Sequence, residues 1–375
     1  MSEILTKSSF DKFLGRYYAV FGMFIILSIA IYTFFIALGL LQITCKPVLQ
    51  FFLNDIVNAI SNPFVALFVG LLATAIVQSS SLTTSIAVIM VAENLISLQH
   101  AVPLIMGANI GTSLTSTFTS LAYMNNRYEF KDAISAATIH DFFNILTTFI
   151  LFPLEYYFHI LSNTAGNLTH FLLSLPLFEP SFHYEWEITK IVTHWIANNL
   201  PNQVILLTLS IVLMLISIKV FAVYTKQFLA KKEDSGLTNR IFRNSYQSLL
   251  AGFLLTAIAR SSSVMSSVTV PLVVSKKVSL EKYFPFIMGV NVGTTVTAVL
   301  VSMGKSDIAI SLAFAHLAFN VFGILIFFPI QKLRQIPIYL SKKLGEMVMK
   351  NQLYGLLYIL LIFFLLPFLL IYFSK

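Results

Sequence analysis

Charge is what this chain has least of. Asp, Glu, Lys and Arg make up 11% of its 375 residues, against about 25% in a soluble domain. Hydrophobic residues make up 57%, and the mean hydropathy is +0.83. So few charges exclude an ordinary wet surface and imply an integral membrane protein. Short alternation is missing too. The apolar stretches run for about 20 residues without a strand-like period, which excludes an outer-membrane barrel and predicts spanning helices. Cysteine occurs once, at Cys45, so no intramolecular disulfide can form and redox chemistry is not expected. Catalytic signatures are absent as well: there is no G-x-S-x-G, no H-E-x-x-H and no P-loop. The neighbours His140 and Asp141 would point about 100° apart on one helix, a poor start for a triad with serine. An enzyme is not expected.

What charge there is has a sign and a place. The net charge of +8 sits in short loops between apolar spans, which fits membrane orientation rather than nucleic acid. Full spans are predicted at about 18–42, 98–122, 133–158, 201–224, 280–303, 307–330 and 352–373. The lead-in MSEILTKSSFDKFLGR is amphipathic, and the apolar segment after it is too long for a signal-peptide core. With the N-terminus on the cytoplasmic side, only Lys46, Lys190, Lys305 and Lys375 of the 24 Lys and Arg fall outside, and Lys219 and Arg260 lie within the membrane.

Two apolar stretches, about 63–92 and 245–275, are interrupted by IVQSSSLTTS (Ile76–Ser85) and IARSSSVMSS (Ile258–Ser267). Serine prefers caps and turns to helix interiors, so each stretch reads as two half-helices meeting at a polar tip, a re-entrant hairpin tolerated where protein or a wet cavity covers it. One constant offset aligns Gln78 with Arg260, Ser79–Ser81 with Ser261–Ser263, Gly70 with Gly252 and Pro103 with Pro285. It also aligns MGANIGTS (Met106–Ser113) with MGVNVGTT (Met288–Thr295). After a short deletion His140 aligns with His316, Asn144 with Asn320 and Pro153 with Pro329. The chain is a duplication. The charge count brings one hairpin in from outside and the other from inside, so the repeats are inverted.

Inverted repeats with matched broken segments point to a secondary transporter. Half-helix N-termini offer free amides and a positive dipole end to an anion, and serine hydroxyls can serve an anion or a partly dehydrated cation. The Gly-x-Asn-x-Gly-Thr runs lower helix propensity and read either as close packing or as groups opened toward the tips. QSSS followed by GANIGTS, both duplicated, resembles the type II sodium–phosphate cotransporter family, in a bacterial-type form. The resemblance covers about 60–155 and 245–330. It implies Na⁺-coupled transport of inorganic phosphate between two opposed hairpins, and carries over Gln78, Ser79, Ser80, Ser81, Ser261, Ser262 and Ser263. The family's second motif begins with Gln, where this chain has Arg260, and the paired cysteines of animal members are missing from 159–200.

A charge at the bilayer centre marks function. Arg260 is expected either to grip phosphate bidentately or to stand as a fixed cation in place of a sodium ion. Asp141, the one acid well inside a span, is expected to pair with Arg260 or to ligate Na⁺; its counterpart is Leu317. His140 and His316 read as interhelical hydrogen-bond partners ahead of a proton relay or metal site, as do Asn144 and Asn320 one turn on. His159, His170, His183 and His194 lack ligand spacing, K-K-E-D at 231–234 reads as a solvated linker, and 331–350 as an amphipathic inner-face segment.

The sequence thus predicts an all-α polytopic cell-membrane protein of two inverted-topology repeats, each with a re-entrant hairpin carrying a Ser-rich tip. The first repeat is 1–158, an external loop is 159–200, the second repeat is 201–330, and 331–375 holds the amphipathic segment and a final span. The expected function is phosphate transport coupled to Na⁺, with no cofactor and no nucleic-acid partner, in contact with the lipid bilayer; a homodimer is left open. Substrate contacts are expected from Gln78, Ser79, Ser80, Ser81, Arg260, Ser261, Ser262, Ser263, Asn109, Asn291, Thr112 and Thr294, and Na⁺ contacts from Gln78, Ser80, Thr84, Asp141 and Ser262. The rival is a Na⁺-independent phosphate exporter or channel in which Arg260 replaces a bound cation.

Overall fold

The computed structural model describes residues 22–23, 25–41, 43–44, 60, 62–175, 187–200, 202–230 and 235–374. The amphipathic lead-in, Cys45, Lys46, His183, the K-K-E-D run and Lys375 lie outside these residues. Every regular element among the described residues is a helix. In chain order they are α1 (Ile25–Leu41), α2 (Pro63–Val77), α3 (Ser80–Ala92), α4 (Leu98–Thr112), α5 (Leu114–Ser120), α6 (Arg127–Phe158), α7 (Ile160–Leu173) and α8 (Glu187–Asn199). Then follow α9 (Gln203–Ala230), α10 (Ser235–Ile241), α11 (Ser245–Ala259), α12 (Ser262–Val274), α13 (Leu280–Ser302), α14 (Asp307–Phe327), α15 (Gln331–Lys350) and α16 (Leu353–Phe373).

Among the described residues four helices, α6, α13, α14 and α16, are long and apolar enough to cross a membrane. Their outer faces carry large apolar side chains, such as Phe149 at 78% exposure and Leu325 at 59%. An apolar exterior of this kind suits lipid rather than water.

Each Ser-rich centre ends one helix and starts another. Asn62 caps α2 by accepting from the Phe64 amide at 2.9 Å, with Pro63 in the first turn. The helix stops at Gln78, whose backbone is left-handed (φ 54°, ψ 30°). Ser79 then caps α3, its Oγ accepting from the Leu82 amide at 3.3 Å. The second centre repeats this almost angle for angle: α11 stops at Arg260 (φ 53°, ψ 24°), and Ser261 Oγ caps α12 by accepting from the Val264 amide at 3.3 Å.

The repeat-matched glycines Gly70, Gly107, Gly252 and Gly289 serve close packing. α2 lies against α4 so tightly that a Cβ on Gly107 would fall 1.7 Å from the Leu67 carbonyl oxygen, and one on Gly70 would fall 1.9 Å from that of Leu104. α11 meets α13 in the same way, with Gly289 at 1.9 Å from the Leu249 oxygen and Gly252 at 2.1 Å from that of Phe286. Only a residue without a side chain allows backbones this near.

The cores are exchanged between halves. α3 and α4 bury Leu82, Val88, Ile89, Val102 and Ile105 against Leu312, Ala315 and Phe319 of α14. α12 and α13 bury Met265, Val270, Phe284 and Ile287 against Ala133, Ala137 and Phe143 of α6. Phe143 lies edge-on to Phe284 and Phe327, with ring centres 5.7 Å and 5.8 Å away. The helix that follows each motif therefore completes the core of the other half.

Two segments differ from the sequence reading. The stretch 98–122, expected as one span, breaks at Ser113, whereas the matching α13 runs through. Ser113 Oγ donates to Ile110 O at 2.8 Å and Ser116 Oγ to Ser113 O at 2.7 Å, bonds that compete with the helical backbone. The aligned Thr295 bonds Val292 O in the same way at 2.7 Å without a break, so one such bond does not end a helix by itself; the aligned TVTAVLVS has fewer hydroxyls than SLTSTFTS. The stretch 159–200, read as a loop, is helical over α7 and α8. α7 starts because buried Glu155 accepts from the Leu161 and Ser162 amides at 2.7 Å and 3.2 Å, satisfying donors that a helix start leaves open.

Candidate functional site

The two tips approach each other. Ser81 Oγ, at the start of α3, donates to the Arg260 carbonyl at 3.3 Å. Ser263 Oγ, at the start of α12, reaches the Thr112 carbonyl at 3.5 Å, beside the break at Ser113. Ser80, Ser81, Thr84 and Ser262 are buried. Gln78 and Arg260 share a backbone conformation but not an environment. Gln78 is exposed, whereas Arg260 is 6% exposed and lays its guanidinium 3.8 Å over the ring centre of Phe34 in α1. Such stacking holds a weakly hydrated cation inside apolar surroundings.

Beneath the tips a polar chain ties four helices. His140 Nε2 donates to Asn291 Oδ1 at 2.5 Å, Asn291 Nδ2 to Asn144 Oδ1 at 2.5 Å, and Asn144 Nδ2 to the Asn109 carbonyl at 2.7 Å. From the other half, His316 Nε2 donates to Asn109 Oδ1 at 3.2 Å, and Asn320 Nδ2 lies 3.5 Å from the same oxygen. Each histidine thus bonds the motif asparagine of the opposite half. The histidines serve as interhelical partners, and among the described residues no three His, Cys, Asp or Glu gather as a metal site.

Asp141 faces elsewhere. It is fully buried, and Tyr358 OH donates to its Oδ2 at 2.9 Å. Thr117 Oγ1 lies 3.1 Å from Oδ2 and 3.4 Å from Oδ1. His140 and Asp141 therefore serve different helices, as their angular separation on α6 requires. Thr112 and Thr294 turn their hydroxyls to carbonyls of their own helices, Ala108 at 2.9 Å and Val290 at 3.0 Å.

The family model for the Na⁺/Pi-cotransporter matches residues 33–177 and 213–350, two segments that hold one tip each. The chain belongs to the Na⁺/Pi-cotransporter family. It is a multi-pass membrane protein, and its matches are transport proteins rather than enzymes. It is 28% identical to sodium-dependent phosphate transport protein 2B of Homo sapiens, over 85% of this chain and 59% of that protein. It is 31% identical to protein 2A of Ovis aries, over 83% and 61%, and 30% identical to protein 2A of Mus musculus, over 83% and 61%. The chain thus spans about three fifths of the length of these relatives. No solved structure matches it.

Within this member of the family, the residues expected at the site fall into three places. The serines and Arg260 gather at the meeting tips, Asn109 and Asn291 anchor the polar chain, and Asp141 sits with Thr117 and Tyr358. Of the five residues expected to hold Na⁺, four are buried and Gln78 is exposed. Phe34, Thr117 and Tyr358 were not singled out in the sequence. The hydroxyl run SLTSTFTS after the first motif was the available signal for Thr117. A tyrosine in an apolar span reads first as an interface anchor, and Phe34 is one phenylalanine of 35.

Proposed function

We propose that this chain is a secondary transporter that carries inorganic phosphate across a membrane with Na⁺ as the coupling ion. The observation that carries the reading is the pair of tips. Two helix starts capped by Ser79 and Ser261 follow left-handed Gln78 and Arg260 and meet through the Ser81 bond to Arg260, in a chain of a Na⁺/Pi-cotransporter family. Helix starts favour phosphate through their amides and dipole. Arg260 adds a full positive charge, and stacking on Phe34 engages its flat face, while its N–H groups lie along the plane in which phosphate oxygens are met.

The halves are inverted-topology repeats, and α2–α3 and α11–α12 are re-entrant hairpins. The arms support this: helices of 15 and 13 residues rise about 22 Å and 20 Å, short of the roughly 30 Å of hydrocarbon. The charge bias of the loops supports a cytoplasmic N-terminus. Ser79–Ser81, Arg260 and Ser261–Ser263 bind phosphate. Asp141, a buried acid facing hydroxyl oxygens, is the Na⁺ ligand, in keeping with a hard cation's preference for oxygen.

Binding of labelled phosphate to the purified protein, in NaCl or choline chloride, tests the site. Tighter binding in NaCl that sulfate fails to displace is expected. Phosphate binding indifferent to Na⁺ and equally displaced by sulfate would remove the reading.

A further inference from the structure

α16 stands apart from the duplication. It lies beyond residue 350, where the second family-matched segment ends, and Asp141, which it contacts, has Leu317 as its counterpart in the other half. Two features without a counterpart thus meet at one hydrogen bond. The helix is built to hold that bond in place. Its Ile359 and Phe363 are buried against Leu71 and Ala75 of α2, Ile110 of α4 and Leu114 of α5. The Tyr358 ring is packed between Phe142, 5.9 Å away, and Phe363, 6.3 Å away. Directly after Tyr358 and its neighbours the helix widens into a π segment, Leu361–Leu365, a local irregularity that recurs at functional sites.

The hydrogen bonds on the carboxylate are lopsided. Oδ2 accepts from Tyr358 at 2.9 Å and has Thr117 at 3.1 Å, while Oδ1 has Thr117 at 3.4 Å, and the Ser113 side chain at the break also neighbours the carboxylate. Thr117 belongs to α5, directly after the Ser113 break, whose neighbour Thr112 is touched by Ser263 of the second tip. The carboxylate therefore joins α6, α5 and α16 next to a tip.

We infer that Tyr358 is the positioning residue of the cation site. Its hydroxyl pins Oδ2, sets the rotation of the Asp141 carboxylate and presents Oδ1 to the ion. The inference rests on the reading of Asp141 as a Na⁺ ligand. Preorganising a ligand spares the ion the ordering of that ligand, so losing the bond weakens Na⁺ rather than phosphate.

The test is phosphate uptake into proteoliposomes by wild type, Tyr358→Phe, Asp141→Asn and the double variant, as a function of Na⁺. Tyr358→Phe keeps the ring between Phe142 and Phe363, and a wild-type elution profile in detergent checks its fold. Its Na⁺ half-saturation is expected to rise about tenfold, as for loss of one hydrogen bond to a charged group. Phosphate half-saturation at saturating Na⁺ stays unchanged, and in the Asp141→Asn background the tyrosine change shifts nothing. An unchanged Na⁺ half-saturation in Tyr358→Phe, with Na⁺ dependence impaired in Asp141→Asn, overturns the role of Tyr358 alone. Wild-type Na⁺ dependence in Asp141→Asn removes the ligand reading, and the proposal with it.

Discussion

Ser81, in the first Ser-rich tip, donates its hydroxyl to the carbonyl of Arg260, in the second, across 3.3 Å. The bond fixes the backbone of the one charged residue among the two tip motifs (Ile76–Ser85 and Ile258–Ser267), while its guanidinium is steadied on Phe34. Arg260→Gln removes the charge and the stacking together. A lost charge-assisted contact is worth about 1.5–3 kcal/mol, so the phosphate half-saturation is expected to rise tenfold or more in uptake assays. Arg260→Lys keeps the charge without the planar fork and should fall between. Equal phosphate half-saturation in all three would show that Arg260 does not meet the substrate.

The approach of α2 to α4 depends on Gly107, where a Cβ would lie 1.7 Å from the Leu67 oxygen. Gly107→Ala must push two helix backbones apart and is expected to cost about 1–3 kcal/mol or more. Gly289→Ala should behave alike in the other half. Gly166, on α7 with open space around it, is the control: Ala there should be neutral or stabilising by up to about 1 kcal/mol. Thermal unfolding of the detergent-purified variants checks the contrast.

The pair His140 and Asn291 bridges the halves at 2.5 Å. Removing either leaves a buried polar partner unsatisfied, at about 1–3 kcal/mol. A double-mutant cycle of His140→Ala and Asn291→Ala should therefore be strongly non-additive, measured by unfolding of the same preparations. Additive losses would mean that the bond contributes nothing of its own.

Much of this was legible in the sequence, because it depends on local chemistry. Ser-Ser-Ser after an apolar arm is a cap, and both tips stop at the residue before it. The helix break at Ser113 has no unique signal in the sequence, because the aligned Thr295 bonds back to its own helix just as Ser113 does and α13 runs through. The glycines of the Gly-x-Asn-x-Gly-Thr motif pack helices, the plainer of their two readings. The partners of Asp141 were out of reach. Tyr358 is brought to it by tertiary packing of a helix far along the chain, and no spacing in the sequence encodes that meeting.

Glu155 shows how little signal such contacts can leave. Its carboxylate starts α7 by accepting two amides, from Leu161 and Ser162, and also the Ser162 hydroxyl. Glu155→Ala is expected to cost about 0.5–2 kcal/mol, as for a lost helix cap. Faster proteolysis or hydrogen exchange within α7, with the tips unaffected, would register it.

Uptake of radiolabelled phosphate into proteoliposomes, under an inward Na⁺ gradient and with choline in its place, tests the central claim most directly. Saturable uptake that rises with Na⁺ is the expected result. Uptake that is equal in choline would contradict Na⁺ coupling and favour the rival, Na⁺-independent transport with Arg260 in place of a bound cation.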